Sequence, residues 1–518
     1  MKRTPFILAG LGAALSFYTL GGLPGRYRVP GTLILVCIPI ILVSLSRVLA
    51  CGLPEGASPS GNFRSTQRHV LAWGLPGEVS SRNYRALHRQ ALALTGGLVL
   101  GIAARGSIDQ APRLGLPPET VRALTGTLAE DPRSTSTGKG MGYLVLNSAV
   151  GSGGLRSTAQ GRVLVFFPGE ALPRVKDFGR GAEIYVEGNF TESSGKGFAA
   201  APLFRASGVH VSKPAPVWEQ RRTAIRLALL DKLEAQPWGG LGAALILGVR
   251  DSLDSDLAQA YTHAGCSHVL ALSGMHLAIV AALAAFFLRK PLGLKPAALA
   301  GAALIVLYVT LVGAQPSLER SAIMYLLGTA AILGFLPRQV LSLLAAAFLI
   351  QLLIHPSAGD SLSFTLSYLA LAGILTVGET VHGLLRGRLP ETLAQPLSAS
   401  LGAYLATTAI SASAFGMVRP VGLLAGLIIV PLTTVFMVAA LAALGLSFFS
   451  PFLSNLVGMG LSALYALLDR LVSLAALVPG INAGGQGREL ILSLALASLC
   501  LCRGSIHIKR RQALAPFN

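Results

Sequence analysis

Apolar residues form long runs over much of the chain, and this pattern predicts membrane-spanning helices. Three runs come first, at 5–22, 31–50 and 90–104. Further runs lie near 239–249, 268–288, 297–314, 317–336, 339–354, 363–385, 398–449 and 452–503, and the last two are each long enough for two helices. Several runs are short or interrupted by Gly, Pro or a charge, which is typical of broken or re-entrant helices around a cavity. We predict a polytopic α-helical membrane protein with about 10–13 transmembrane or re-entrant helices.

A polar segment at 118–213 separates these two sets of apolar runs. It contains short β-rich stretches, "YLVLNSAV", "GRVLVFFPG" and "AEIYVEGNF", which are broken by Gly, Ser and Pro and have no helical periodicity. This pattern predicts an inserted β domain, for which an OB-like β-barrel is the expected fold. Candidate ligand contacts on such a barrel are the aromatic Phe166, Phe167, Tyr185 and Phe190 and the nearby basic Arg174 and Lys176. The alternative is that these rings belong to the core of the barrel.

The stretch 214–238 predicts an amphipathic helix. Ile225, Leu229 and Leu233 form its apolar stripe, and the polar positions are Arg221, Arg222, Arg226 and Lys232. Trp218 and Trp238 lie near its ends, as interfacial anchors do. Two settings fit this pattern: the helix lies on the outer membrane surface, or it docks on the rest of the protein.

Charge gives the expected topology. Only 13% of the 518 residues are charged and 52% are hydrophobic. Lys2 and Arg3 precede the first run, and the loop 51–89 is rich in arginine, so the N-terminus and this loop are predicted to be cytoplasmic. The chain then emerges outside near residue 105, which makes the β domain extracytoplasmic, whereas "KRR" at 509–511 places the C-terminus in the cytoplasm. We expect a multi-pass protein of a bacterial cytoplasmic (inner) membrane.

These features divide the chain into four segments. Residues 1–117 hold the N-terminal helices and their basic loop, 118–213 the β domain, 214–238 the amphipathic helix and 239–518 a second transmembrane domain. The net charge of +19 fits the positive-inside rule and contact with anionic lipids, and it also fits a polyanionic substrate. None of the five cysteines falls within 118–213, which excludes a disulfide framework there.

The sequence lacks the motifs of several enzyme classes. It contains no Walker A loop, no H-E-x-x-H and no H-x-H-x-D-H run. We therefore expect neither an ATPase nor a nuclease, no enzymatic activity, and no bound metal or cofactor. If the protein moves a substrate, another protein supplies the energy.

The stretch "HVLALSGMHLAIV" at 268–280 holds the most unusual polar residues of a membrane run. Ser273 and His276 are neighbours on a helix, as a serine nucleophile and its base would be. His263, Cys266, His268 and His276 are potential zinc ligands, but His268 and His276 lie about 12 Å apart on an unbroken helix. Alternatively, the histidines bond to the backbone of a broken helix, either fixing it or lining a path.

Charged residues also enter the later apolar runs. Glu319 and Arg320 are adjacent, and Asp360 precedes another run. Such residues pair across helices as structure or line a pathway.

Three blocks together resemble the ComEC family of competence proteins. "AALILGVRDSLDSDLAQAYTHAGCSHVLALSGMHLAIV" (243–280) is similar to that family's segment leading into an "HLLAISGLH" block. "QPSLERSAIMYLLGTAAILGF" (315–335) and "DSLSFTLSYLALAGIL" (360–375) are similar to its Pro-Ser-x-x-Arg and F-Q-L-S-F blocks, in the same order.

This resemblance implies a channel that transports single-stranded DNA across the cytoplasmic membrane during natural transformation. It implies as partners single-stranded DNA, an extracytoplasmic DNA receptor, a cytoplasmic ATPase or helicase, membrane lipids and a separate nuclease, because the metallo-β-lactamase-like domain of many members is not expected within 518 residues. Candidate residues of the DNA path are Arg250, Asp251, His268, Ser273, Gly274, His276, Glu319, Arg320, Asp360, Phe364 and Ser367. The alternatives are a transporter or flippase for another anion, such as a lipid-linked polymer, and an assembly scaffold that conducts nothing.

Overall fold

The structure, a computed structural model, describes residues 113–135, 138–191, 203–334 and 339–482, with isolated positions 10, 13, 14, 97, 100 and 101. The predicted helices at 5–22, 31–50 and 90–104 and the basic loop 51–89 lie largely or wholly outside these residues. The predicted cytoplasmic tail at 509–511 also lies outside them. Ala13 is buried in a cluster with Phe348 and Leu352.

The N-terminal part of the described chain is a β-sheet domain. Its strands are β1 (Arg113–Leu114), β2 (Val121–Leu128), β3 (Arg133–Ser134), β4 (Gly140–Gly151), β5 (Arg156–Gln160), β6 (Arg162–Phe167), β7 (Glu183–Thr191) and β8 (Leu203–Lys213). A short helix, α1 (Leu172–Phe178), connects β6 to β7. Strand β4 pairs with β2 and β6, β2 pairs with β7, β7 with β8, and β8 returns to β6 as the one parallel pair in this ring.

The core of the β domain follows the alternation of its strands. In β6, Val163, Val165 and Phe167 are buried, while the residues between them reach the other face. Because side chains alternate across a strand, one face of the sheet collects the apolar residues. Full burial of such a side chain contributes about 1.5–3 kcal/mol, so the sheet has a core of its own, which includes Phe204 and Ile184.

Helices make up the rest of the described chain. Four come before the first long span: α2 (Val217–Glu234), α3 (Gly239–Ile246), α4 (Ser255–His263) and α5 (Ser267–Leu270). The next six are α6 (Gly274–Leu292), α7 (Leu294–Val312), α8 (Pro316–Leu333), α9 (Val340–Ile354), α10 (Leu362–Gly373) and α11 (Glu379–Leu385). The last three are α12 (Glu391–Phe415), α13 (Val421–Leu446) and α14 (Pro451–Ala476), and a small sheet pairs β9 (Met417–Val418) with β10 (Ile481–Asn482).

Five helical stretches among the described residues are long and apolar enough to cross a membrane. They are Gly274–Leu292, Leu294–Val312, Leu362–Leu385, Val421–Leu446 and Phe452–Ala476. Large apolar side chains on these helices are exposed, including Phe286 at 77% and Met459 at 73%. Contiguous exposed apolar surface of this kind is stable in lipid and not in water, so the chain is a multi-pass membrane protein.

Several of these helices are interrupted, as the sequence indicates. The run 268–288 divides into α5 and α6, with Ser273 between them. A π-helical turn, Ile374–Gly378, joins α10 to α11. There a Cβ on Gly373 would lie 2.3 Å from the carbonyl oxygen of Gly402, so α10 and α12 approach at their glycines. Close backbone contact through small residues is a common way for membrane helices to pack.

Helix α2 docks on protein, and it does so through its polar residues. Glu219 and Arg222 are 2% and 4% exposed, whereas Ile225 is 54% exposed. Of the two settings that fit the sequence, the polar side of α2 at Arg222 thus has the one in which the helix docks on the rest of the protein. The Arg222 guanidinium is buried because it bridges Asp131 of the β domain, Glu219 and the Leu311 carbonyl at the end of α7.

The successive helices α6 to α12 run up and down between two ends. At the end that faces the β domain lie the start of α6, the α7–α8 turn and the α9–α10 turn. Contacts that fix this end are Arg222 with the Leu311 carbonyl and the approach of Gly313 to Asp131. At the far end lie the α6–α7 turn at Gly293 and the α11–α12 turn near Gly387.

Candidate functional site

Helix α6 starts with a reciprocal pair of hydrogen bonds. Ser273 is its N-cap, and the Ser273 Oγ accepts from the Met275 N–H at 3.3 Å. In return, the Ser273 N–H donates to Nδ1 of His276 at 3.1 Å. This is a capping box in which histidine takes the position that Glu or Gln usually holds. His276 therefore fixes the start of the helix.

The two histidines of this block occupy different settings. His276 is fully buried, and among the described residues no group hydrogen-bonds to its Nε2. His268, in α5, is exposed. Desolvation nevertheless lowers the pKa of the His268 imidazole, because neighbouring protein disfavours the charged form of the ring. Only His268 of the two presents its ring to solvent.

The second block meets the first at Gly274. A Cβ on Gly274 would lie 2.6 Å from Ser321 Oγ and 3.0 Å from Nη2 of Arg320. The guanidinium of Arg320 is thus packed against the first residue of α6. Arg320 itself is 8% exposed, so the contact lies inside the helical domain.

The third block joins the same place through Ser367 of α10. Arg320 donates through Nη1 to the Ser367 carbonyl. The Ser367 hydroxyl donates to the Ser317 hydroxyl at 2.9 Å, and the Ser321 hydroxyl donates to the Ser317 carbonyl at 3.0 Å. We call Ser273, Gly274, Ser317, Arg320, Ser321 and Ser367 the serine–arginine cluster. Three blocks that are far apart in the sequence converge in it.

A buried polar chain lies beside the cluster. The Gln351 amide donates to Glu319 Oε2 and to the Pro316 carbonyl, both at 2.9 Å. The Tyr368 hydroxyl donates to Gln351 Oε1 at 2.9 Å, and His355 Nδ1 lies 3.2 Å from Glu319 Oε1. The hydrogen bond to Glu319 raises the pKa of His355, against burial and the charge of Arg162 in the β domain.

Several of these residues are not among those predicted from the sequence. Gln351 is 1% exposed within the otherwise apolar α9, and a lone amide in such a helix is a signal that was available. Ser317 and Ser321 stand in the Pro-Ser-x-x-Arg-Ser stretch that carries Arg320. Nothing in the sequence indicates that Tyr368, rather than another aromatic residue, lies under Arg320, with its ring centre 5.9 Å from the guanidinium carbon.

Other predicted site residues lie elsewhere or serve the core. Phe364 is fully buried and packs on Phe348 and Tyr368 with ring centres 5.4 and 4.6 Å apart. Asp360 closes the turn Pro356–Asp360 before α10. Both flank the cluster without belonging to it.

Arg250 and Asp251 lie at the junction with the β domain. Asp251 accepts from the Ser134 N–H at 2.9 Å and pairs with Lys176 of α1 at 2.5 Å. Arg250 is exposed next to this contact. Asp251 and Lys176 therefore tether the β domain to the helices.

The aromatic candidates of the β domain divide by burial. Phe167 is 1% exposed and belongs to the core. Phe190 packs edge-on against Phe204, with ring centres 5.1 Å apart. Phe166 and Tyr185 are half-buried, and Arg174 is exposed. Phe190 and Lys176 are half-buried as well, so of the six candidates in this domain Phe167 is the one that the core takes up fully.

The positions of Ser273, His276 and the other histidines can be compared with those that a serine hydrolase or a zinc site requires. Ser273 Oγ lies 3.2 Å from His276 Nδ1, which is within reach of proton transfer. However, Nδ1 already accepts the Ser273 N–H, and no third group orients the ring through Nε2. Among the described residues, no three His, Cys, Asp or Glu side chains are grouped to hold a metal ion.

Comparison with known proteins identifies relatives of the helical domain. Residues 245–507 match the sequence model of a family described as "Competence protein", and this range includes the second and third blocks and all but the first two residues of the first. ComE operon protein 3 of Bacillus subtilis (strain 168) is 32% identical over 138 residues, covering 25% of this chain and 17% of that protein. An uncharacterized protein of Aquifex aeolicus (strain VF5) is 27% identical over 234 residues, covering 45% of this chain and 53% of that protein. The matched stretches thus span about half or less of the length of these relatives.

Proposed function

Because the chain belongs to the competence protein family, we propose that it is a channel through which single-stranded DNA crosses the cytoplasmic membrane of a bacterium during natural transformation. The observation that carries this proposal is the convergence of three distant sequence blocks in the serine–arginine cluster. Polar and ionisable residues that membrane helices bring together in this way face the interior of the bundle, and they usually mark a pathway. Nothing in the proposal requires an enzymatic step.

We propose that the β domain is an OB-like barrel that receives the strand. The ring of pairings through β2, β4, β6, β8 and β7, with one parallel pair, supports this fold. OB-like domains bind single strands by stacking bases on aromatic rings and contacting phosphates with basic residues. Phe166, Tyr185 and Arg174, which reach the surface, are the residues proposed to do so.

The proposed path then runs from the β domain into the helices. A polyanion needs a wet path with positive potential and no deep binding site. Exposed His268 and Arg250 are proposed to lie along its recessed wall. The four serines of the cluster are half-buried, which leaves hydroxyl groups within reach of solvent.

The proposed setting follows from this direction of transport. The β domain is extracytoplasmic, where a DNA receptor delivers the strand, and a cytoplasmic ATPase or helicase pulls it inward. Degradation of the second strand belongs in this scheme to a separate nuclease. Lipids surround the exposed apolar faces of the helices.

The proposal is tested by uptake of fluorescent DNA into cells. We compare a strain without this gene, the complemented strain, and strains with Arg320→Ala or Arg289→Gln. Arg289 is the matched control because it is exposed near the other end of α6. We expect labelled DNA to remain outside the cytoplasmic membrane in the deletion and the Arg320→Ala strain, at normal protein abundance, and to enter with Arg289→Gln.

Entry that is unchanged in the deletion would contradict the channel. The same strains are then assayed for export of lipid-linked polymers, since a flippase for another anion is the alternative. Loss of that export with normal DNA entry would replace the proposed function.

A further inference from the structure

Arg320 carries a buried positive charge without a carboxylate. Its hydrogen bonds go to the Ser367 carbonyl and, at 3.3 Å, to Ser321 Oγ, while its Nε has no partner. Glu319, the adjacent acid, is bonded instead to Gln351 and His355. Within the part of the chain that the structure describes, no carboxylate lies within 4.0 Å of the Arg320 guanidinium. The groups that face this charge among the described residues are neutral and include the ring of Tyr368, and a buried charge without an ionised partner is costly.

A second source of positive potential adjoins it. The start of a helix carries about half a positive elementary charge from its aligned peptide groups. Gly274 is the first residue of the 19-residue α6, and Nη2 of Arg320 lies 3.0 Å from where its Cβ would be. Fully buried His276, with no partner for Nε2, adds no negative charge. The guanidinium and the helix start repel each other unless an anion lies between or beside them.

Neutral hydroxyl groups surround these two positive groups. Ser317, Ser321 and Ser367 form a hydrogen-bonded chain through the two 2.9 and 3.0 Å contacts, and Ser273 caps α6. All four serines of the cluster are half-buried, so a ligand can approach from their side. The Ser317 hydroxyl accepts from Ser367 and keeps its own proton to donate, and a hydroxyl donor beside an arginine fork can bind a phosphate oxygen.

We propose that the serine–arginine cluster binds one oxyanion, and specifically a single phosphodiester group of the transported strand, with Arg320 as its countercharge. This inference rests on the proposed function and names the contact by which the helices hold the strand. One arginine beside neutral hydroxyls binds a monoanion weakly, which suits a site that the strand must leave again.

The test measures binding of a ligand that has one phosphodiester group and is too short to bind along the length of the β domain. The full chain is purified in detergent, and its thermal unfolding is followed with increasing concentrations of the dinucleoside monophosphate TpT, which holds one phosphodiester. Thymidine without the phosphate is the ligand control. We expect TpT, and not thymidine, to stabilise the protein, because a ligand that binds the folded state raises its stability.

Three variants locate the effect. Arg320→Gln removes the countercharge and should weaken TpT binding about tenfold, as the loss of a charge-assisted hydrogen bond does. Gly274→Ala keeps every charge but inserts a Cβ against Ser321 and Arg320, and it should weaken binding while α6 stays folded. Arg289→Gln should bind TpT as the unaltered protein does.

Each outcome separates this inference from the proposed function. TpT that stabilises all variants equally, or none, overturns the phosphodiester site, and the channel stands if Arg320→Ala still blocks DNA entry. TpT binding that depends on Arg320, with normal DNA entry in the Arg320→Ala strain, keeps an oxyanion site and overturns its role in the channel. Stabilisation by phosphatidylglycerol but not by TpT assigns the site to a lipid phosphate and overturns the strand assignment.

Discussion

His276 completes the first turn of α6. Its Nδ1 accepts the Ser273 N–H, and therefore the ring's own proton is on Nε2, which is buried without a partner. A helix start inside a membrane protein must satisfy its N–H groups internally, because lipid offers no acceptors. His276 thus accepts the backbone N–H of the N-cap residue, as Glu does in the usual capping box, but it brings no charge to the start of the helix.

Replacing His276 should mainly affect stability. His276→Ala removes a buried ring and leaves the Ser273 N–H without an acceptor, which should cost about 2–4 kcal/mol. His276→Gln supplies an acceptor of the usual capping-box type and should retain most of the stability. Thermal unfolding of the purified chain measures both changes, with His268→Ala as an exposed control expected within about 0.5 kcal/mol.

Measurement of DNA entry shows which result would contradict this structural role of His276. If His276→Ala unfolds like the unaltered protein and yet blocks entry at normal abundance, the ring acts on the path and not on the helix start.

Helix α2 links the β domain to the helical domain. Arg222, buried among Asp131, Glu219 and the Leu311 carbonyl, ties three elements together. Arg180 adds a second bond to Glu219, and Arg226 a second bond to Asp131. Because the polar residues of α2 make these contacts, Val217, Trp218 and Ile225 are exposed on its other side. Exposed apolar residues of this kind suit a helix that also contacts lipid.

Removing Arg222 should loosen this junction. Arg222→Met leaves Glu219 and Asp131 without their shared partner, and breaking a buried ion pair from one side costs about 3–5 kcal/mol. We expect a lower unfolding midpoint and faster protease cleavage between β8 and α2 in the purified full chain. Arg221→Met is the control, since Arg221 is exposed on the same helix. Equal cleavage of the two variants would show that the junction does not depend on Arg222.

Along helices α6 to α12, the turns at the two ends differ in charge. Turns at the far end carry Arg289, Lys290, Lys295, Arg386 and Arg388, whereas the turns 313–315 and 355–361 near the β domain contain no Lys or Arg. Basic turns stay in the cytoplasm. This distribution favours an extracytoplasmic β domain independently of the N-terminal loops on which the sequence-based topology relies.

Cysteine labelling tests this orientation. Leu155 is 66% exposed in the β domain, and Lys290 is exposed in the far-end turn. In a cysteine-free background, a membrane-impermeant maleimide applied to spheroplasts should label Leu155→Cys and should label Lys290→Cys only after the cells are broken. The reverse labelling would invert the topology and with it the proposed direction of DNA entry.

The sequence by itself determined which segments cross the membrane and which fold as a β domain. Runs such as 297–314 and 398–449 are too long and too apolar to be exposed to water, and the short β-rich stretches within 143–190 are broken by Gly, Ser and Pro. The interruption at Ser273–Gly274 was also predictable, because capping residues are local features. These properties depend on neighbours in the chain, and so a single sequence carries them.

Only the tertiary structure decided which polar residues meet. Arg222 is buried because Asp131, far away in the sequence, provides a partner for the guanidinium. Asp251, a candidate residue of the path, forms an ion pair with Lys176 of the β domain. Gly274, Arg320 and Ser367 are neighbours across three helices. Pairing of charges over such sequence distances depends on how the helices pack, and periodicity along one helix does not contain that information.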